Sequence, residues 1–285
     1  MSERPEVIVV GGGFAGMYAL HRLRSDGWRV LVVEAGSDVG GTWYWNRYPG
    51  ARCDVPSLEY SFGFSEQLEQ EWDWPEVFSA QTDILEYANH VAAKFDLRRD
   101  MRFNTRIVSV EYQEAVNLWR LESETGDVFE ARYCIMATGC LSVPNKPELP
   151  GADAFAGRVL HTGLWPKEHV DLNGLRVGII GTGSSGVQAI PELARQAKHL
   201  TVFQRTPVYT VPANRKRMRP AVQQEFRDNY RTIRALQQNN QAGISNFRPK
   251  KSVAASSDTP AGNASPADIL ALSPLERRQL VEARG

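Results

Sequence analysis

Val7-Ile8-Val9-Val10-Gly11-Gly12-Gly13-Phe14-Ala15-Gly16 is a β-branched run delivered straight into a GxGxxG turn. A short apolar run of this kind reads as a buried strand, and Met17 to Leu23 places apolar residues at helical spacing before Gly27. Trp28 to Glu34 reads as the next strand, so about 30 residues make one βαβ unit. In such a turn Gly11 permits the tight bend, Gly13 leaves room for a pyrophosphate, and Gly16 lets helix and strand pack closely. Phe14 and Ala15 open the helix, whose N–H groups and dipole attract phosphate. The same glycine spacing also suits an ordinary tight turn. Glu34, 18 residues past Gly16, tips the reading toward a nucleotide, because a carboxylate there accepts hydrogen bonds from adenosine ribose hydroxyls.

The pattern then restarts. Leu175 to Ile180 reads as a second buried strand, Gly181-Thr182-Gly183-Ser184-Ser185-Gly186 as a second glycine turn, Val187 to Ala197 as its helix and Leu200 to Arg205 as the returning strand. Where an acid would close this unit, the chain reads Phe203-Gln204-Arg205-Thr206-Pro207. An arginine there repels no phosphate and can hold one bidentately, which favours NADPH over NADH. A surface arginine at a strand end is the plainer alternative. Two nucleotide sites in one chain imply a flavin and a nicotinamide working together.

Between the two units, Ser79 to Phe95 carries a helical apolar stripe, and Arg106 to Tyr112, Leu118 to Glu122 and Val128 to Tyr133 read as an antiparallel meander with turns at Asn117 and Thr125-Gly126-Asp127. Cys134 to Thr138 is expected to continue as a buried strand, and the proline-bearing Val143 to Gly151 reads as a linker. Beyond Pro212, Ala221 to Gln238 is polar and helical in pattern. Lys250 to Pro266 is rich in Ser, Ala, Pro and Gly, and Ser273 with Glu276 signals a helix start. The expected fold is α/β, with two Rossmann-like dinucleotide-binding domains, a β-meander and the start of a helical insertion. Residues 1–142 and 143–212 form the first segments of the two domains, and 213–285 is the helical or mobile segment.

Composition excludes several functions. The 285 residues carry 33 basic and 33 acidic side chains, so no long-range field favours nucleic acid or an anionic membrane. Cys53, Cys134 and Cys140 form no CxxC pair, which argues against a structural metal and suits a reducing compartment. No apolar run reaches the roughly 18 residues of a membrane span. The opening MSERPEVIVVGGG lacks a signal-peptide core, so a cytoplasmic location is expected.

Gly40-Gly41-Thr42-Trp43-Tyr44-Trp45-Asn46-Arg47-Tyr48-Pro49-Gly50-Ala51-Arg52-Cys53-Asp54 sets three large aromatics in a glycine- and proline-bounded loop. Without periodicity, they read better as a wall for a planar ligand than as core. This run resembles the GGxWxxxxYPGxxxD signature of type I Baeyer–Villiger monooxygenases. Phe155-Ala156-Gly157-Arg158-Val159-Leu160-His161-Thr162-Gly163-Leu164-Trp165-Pro166 matches that family's FxGxxxHxxxWP fingerprint at each fixed position. The resemblance runs from about Val7 through Pro212. Ile135-Met136-Ala137-Thr138-Gly139 also resembles the ATG segment shared by two-dinucleotide flavoproteins.

The resemblance implies that NADPH reduces FAD, that reduced flavin captures O2 as a C4a-peroxide, and that this attacks a ketone to give an ester or lactone. It implies FAD contacts from Gly11, Gly13 to Gly16, Glu34, Gly41 to Trp45, Asp54, Tyr60 and Ile107. NADP contacts would come from Arg52 to Asp54, Gly181 to Gly186, Arg205 and Thr206. Asp54, His161 and Trp165 would serve catalysis, with Asp54 orienting an arginine from a later part of the family's chain. This sequence is therefore expected to be an incomplete enzyme, and its oligomeric state is not legible. Two rivals remain: a flavin-containing N- or S-oxygenating monooxygenase, whose fingerprint lacks Trp-Pro, and a non-catalytic nucleotide-binding fragment.

Overall fold

The computed structural model describes residues 4–212, 215–241, 243–245 and 247. Its centre is the strand β1 (Val7–Val10), fully buried and paired in parallel with β2 (Val30–Val33) on one side and β7 (Tyr133–Met136) on the other. β3 (Met101–Arg102) extends the sheet past β2, giving the order β3-β2-β1-β7. Side chains alternate across this sheet. Val7, Val9 and Val32 face one cluster, whereas Ile8, Val10 and Val33 face another. A strand covered on both faces needs apolar residues at every position, which is why VIVV shows no alternation.

The first cluster lies under α1 (Phe14–Ser25) and α4 (Gln81–Lys94). α4 contributes Ile84, Tyr87, Ala88, Val91 and Ala92, the i, i+3, i+4 stripe of a half-buried helix. The second cluster is capped by the meander of β4 (Ile107–Gln113), β5 (Leu118–Ser123) and β6 (Val128–Ala131), through Leu121 and Ala131. Asn117 and Gly126 take the positive φ that its two tight turns require.

The second unit is β8 (Arg176–Ile180), α5 (Ser184–Gln196) and β9 (His199–Phe203), with β8 and β9 in a two-stranded parallel sheet. Its apolar inner face is a small cluster of Val170, Leu172, Ala189 and Leu193. α6 (Pro220–Gln238) then returns to the first unit, where Phe226 and Ile233 join the cluster of α4. Arg234 anchors it, donating to Glu69 of α3 (Glu66–Glu71) at 2.7 Å and to Ser61 Oγ at 2.9 Å.

Several expectations need correcting. β8 is not buried: its residues alternate between exposed and half-buried, with Ile180 75% exposed. β7 is likewise open, with Ile135 and Met136 exposed. Both strands have the apolar sequence of a two-sided sheet, but among the described residues β7 and β8 end their sheets and lack a layer over one face. The run Val128 to Tyr133 divides at Arg132 between the meander and the parallel sheet. α1 starts at Phe14 and α5 at Ser184, each three residues before the first apolar-periodic position. The expectations for Lys250 to Pro266 and Ser273 to Ala283 fall outside the described residues.

Candidate functional site

The first glycine turn joins β1 to α1. Gly11 has φ +112°, and its N–H donates to the Val33 carbonyl at 2.8 Å, tying the bend to β2. A Cβ on Gly16 would lie 1.8 Å from the Gly11 carbonyl oxygen, so only glycine permits this helix–strand approach. The first turn of α1 has neither a side-chain cap nor an acidic residue, and Ala15 is exposed beside it. Its N–H donors therefore suit a phosphate. Glu34 is buried, and its carboxylate accepts from Gly12 N–H at 2.5 Å and Gly36 N–H at 2.7 Å. Each oxygen retains a second lone pair, so the side chain braces the turn while keeping acceptor capacity for a ribose.

The aromatic loop sits on this turn. Gly40 N–H donates to the Gly12 carbonyl at 3.1 Å, and a Cβ on Gly13 would come within 3.3 Å of Gly41 Cα. Thr42–Trp45 forms a single helical turn, α2. Trp43 and Tyr44 are only 8% and 7% exposed, so most of each ring is covered by protein. Trp43 Nε1 donates to Tyr60 Oη at 3.1 Å, and its carbonyl accepts from Gln81 Nε2. The Tyr60 ring is 5.5 Å from that of Phe14, so Phe14, Trp43, Cys53 and Tyr60 belong to one cluster. Burial pushes the Tyr60 phenol and the Cys53 thiol above their usual pKa ranges. Trp45 alone of the three is half-buried. Ile107 stands apart, at the start of the meander's β4 and packed against the second cluster.

Arg52 and Asp54 flank buried Cys53 but differ in their surroundings. Arg52 Nη1 donates to Glu76 Oε2 at 2.9 Å and to the Phe78 carbonyl at 2.8 Å. Arg215 grips the same Glu76 with both Nε and Nη2. Burial raises the Glu76 pKa, but the two guanidiniums outweigh it and hold the carboxyl below its usual range. Asp54 is exposed and forms no ion pair among the described residues. Tyr44 has a similar balance. Burial raises its phenol, and hydrogen bonds from Lys167 and Ser37 bring it below the usual range.

The second turn repeats the first in backbone form. Gly181 has φ +99°, its N–H donates to the Phe203 carbonyl at 2.9 Å, and a Cβ on Gly186 would lie 2.5 Å from the Gly181 oxygen. The first turn of α5 also lacks a side-chain cap and an acid, and Ser184 and Ser185 sit there. Gln204 Nε2 donates to Thr182 Oγ1 at 2.8 Å, while Arg205 and Thr206 are exposed. In the fingerprint, His161 Nδ1 accepts from Gly163 N–H at 3.1 Å, capping a 3₁₀ turn at Thr162–Leu164. Trp165 packs on the second unit's apolar cluster. It also lines a cleft of about 310 Å³ with Arg47, Pro49, Gln81, Lys167 and Gln196.

Sequence reasoning missed the residue that joins the two units. Gln188 of α5 accepts from Tyr48 Oη at 2.9 Å and from Arg52 N–H at 3.3 Å, and its Nε2 donates to the Arg52 carbonyl at 3.1 Å. The side-chain amide thus grips the backbone just before Cys53-Asp54. Its one signal was a polar residue interrupting the apolar stripe of Val187, Ala189, Ile190 and Leu193.

A family model described as pyridine nucleotide-disulphide oxidoreductase matches residues 8–267. The chain belongs to this family. Among its relatives, a Baeyer–Villiger monooxygenase of Pseudooceanicola batsensis is 45% identical over 229 residues, covering 80% of this chain and 42% of the relative. A phenazine N-monooxygenase of Lysobacter antibioticus is 42% identical over 229 residues, with the same two shares. The solved structure of an oxidized steroid monooxygenase bound to NADP superposes with a TM-score of 0.82 at 45% identity, covering 99% of this chain and 51% of that one. The two-unit α/β organisation read from the sequence is thus shared with solved relatives. The chain spans about half or less of the relatives' length. Despite the family's description, Cys53, Cys134 and Cys140 are all free thiols. Among the described residues no helix is long and apolar enough to cross a membrane.

Proposed function

We propose that the protein carrying this chain uses FAD, NADPH and O2 to insert one oxygen atom beside a ketone carbonyl, forming an ester or lactone. One observation carries the reading: two uncapped glycine turns in a single chain are bridged by the Gly41–Asp54 loop, which rests on the first turn and is gripped from the second unit by Gln188. A hydride donor and a hydride acceptor must be held in a set relation, and that loop supplies it.

In this reading residues 1–142 hold FAD, 143–212 hold NADPH, and 213–285 is the helical segment that follows, of which α6 returns to the first unit. The flavin supplies the redox and oxygen chemistry when bound. Gly11 and Gly12 shape the turn, Gly13 to Gly16 offer N–H donors to the flavin's pyrophosphate, and Glu34 offers its free lone pairs to the ribose. Thr182 to Gly186 offer donors to NADPH in the same way, with Gly181 shaping the turn and Arg205 and Thr206 at the 2′-phosphate. Exposed Asp54 is free to orient a cation brought to the site, and His161 positions the segment leading to Trp165 by capping its 3₁₀ turn. The three free thiols fit a cytoplasmic location.

The test is to incubate the full-length protein with FAD, NADPH, ¹⁸O2 and a panel of cyclic and linear ketones. Esters or lactones carrying one labelled atom are expected. A second reading, oxygenation of nitrogen or sulfur, is favoured by the similarity to a phenazine N-monooxygenase. Labelled N-oxides or sulfoxides from a parallel amine and sulfide panel, with no ester from any ketone, would replace the first reading by the second.

A further inference from the structure

We propose that Lys167 is a positioning residue of the first nucleotide site, acting through Tyr44; the proposal rests on the reading of that site as the flavin's. Lys167 follows directly on Trp165-Pro166, and so belongs to the segment that leads into the second unit. Its Nζ nevertheless donates to Tyr44 Oη at 2.9 Å and lies 5.0 Å from the ring centroid. One ammonium therefore holds the phenol by its edge and its face, combining a charge-assisted hydrogen bond with a cation–π contact.

The phenol's remaining partners lead to the glycine turn. Ser37 N–H donates to Tyr44 Oη at 3.0 Å, and Ser37 Oγ lies 2.8 Å from it. With Lys167 and Ser37 N–H as donors and Ser37 Oγ as acceptor, the phenol has its full complement of hydrogen bonds. The ring itself is wedged against Gly36, where an added Cβ would meet Tyr44 Cε1 at 2.7 Å. The Gly36 N–H is in turn held by Glu34, whose other oxygen holds Gly12. A continuous path of direct contacts thus runs from Lys167 through Tyr44, Gly36 and Glu34 to the first glycine turn.

Removing the ammonium leaves the buried phenol with Ser37 N–H as its remaining donor, and the ring loses both the charged hydrogen bond and the cation–π contact that help to fix it. The consequence falls on Gly36 and, through its N–H, on Glu34, the residue assigned to the flavin's ribose. The lysine itself is exposed, so its global stabilisation is small and its effect on the site is separable from folding.

The experiment measures FAD affinity by flavin fluorescence in the full-length apoprotein and in Lys167→Met, Lys167→Arg, Tyr44→Phe and Lys167→Met/Tyr44→Phe variants, with the thermal midpoint of each. Lys167→Met is expected to weaken FAD binding about three- to tenfold, a fraction of the worth of one charge-assisted hydrogen bond because the effect passes through Tyr44, at an unchanged apoprotein midpoint. Lys167→Arg should recover most of it. In the Tyr44→Phe background the lysine substitution should cost much less than it does alone. Unchanged FAD affinity in Lys167→Met, or losses at the two positions that simply multiply, would overturn the proposal while leaving the flavin site intact. Absence of FAD binding in the unsubstituted protein would take down the flavin reading and this proposal together.

Discussion

In the first βαβ unit the Gly11 N–H donates to Val33 O at 2.8 Å, and in the second the Gly181 N–H donates to Phe203 O at 2.9 Å. Both turns begin with a positive-φ glycine, both helices start on an extended glycine, and neither helix has a side-chain cap. Their surroundings differ. β1 has a strand on each side and a covered face above and below, whereas β8 has β9 on one edge and exposed residues along its length. At the end of the second strand, buried Glu34 braces the first turn through the Gly12 N–H and its own loop through the Gly36 N–H, while exposed Gln204 reaches only the side chain of Thr182. Local geometry is therefore a property of the ten-residue turn. Rigidity comes from the layers packed around it.

The helix glycines offer the strongest test. The Cβ of Gly16→Ala would sit 1.8 Å from a carbonyl oxygen in a closely packed core, against 2.5 Å for Gly186→Ala in an open unit that can give. Gly16→Ala should cost about 3 kcal/mol or more and Gly186→Ala about 1 kcal/mol, read from denaturant midpoints. Equal losses would mean that the two units are equally rigid despite their unequal burial.

A somewhat smaller effect is expected at the strand ends. Glu34→Ala leaves two buried N–H groups without their charged acceptor and should cost about 2–3 kcal/mol. Gln204→Ala, on the surface, should stay within about 0.5 kcal/mol in the same unfolding assay. A large loss at Gln204 would show the second turn to be braced as firmly as the first.

Arg205 separates binding from folding. Arg205→Ala should leave stability within about 0.5 kcal/mol. It should weaken NADPH binding roughly tenfold, by removing a charge-assisted phosphate contact, with NADH little changed. Equal losses for both nucleotides, measured by titration of the full-length protein, would return it to an ordinary surface arginine.

The smallest effect is at the seam between the Arg52 loop and the segment before α6. Burial raises the Glu76 carboxyl, but Arg215 and Arg52 outweigh it, so the folded pKa lies below the ordinary 4.5. A depressed carboxyl stabilises above its unfolded value, and the contribution is lost as pH falls through the folded value. Glu76→Gln should therefore destabilise by about 1 kcal/mol or less at pH 7. The gap between variant and parent should close as the pH drops below 4.5. A gap that persists in acid would mean that Glu76 acts by packing rather than charge.

Much of this was legible in the residues. The two glycine turns, the α4 stripe, the meander and its turns at Asn117 and Gly126 stand where their periods and turn residues put them, because each depends on neighbours within a few positions. The candidate site was legible only in part. Nothing local marks Trp43 and Tyr44 as buried residues. Trp43 is held by Tyr60 and by the helix that starts at Gln81, and Tyr44 is reached by Lys167, all distant in sequence. Glu34 was read through its ribose contact, and its grip on Gly12 emerges only when β2 lies beside β1.

The order of elements, the doubled nucleotide-binding pattern and the residues able to serve it follow from spacing and side-chain chemistry in the linear sequence. Three features required the folded chain: the exposure of β7 and β8, the grip of Gln188 on Arg52, and the reach of Lys167 to Tyr44. The physical reason is common to all three. Backbone preference and hydrophobic period act over one or two turns of chain, whereas burial and long-range hydrogen bonds depend on which distant layer arrives to cover a surface.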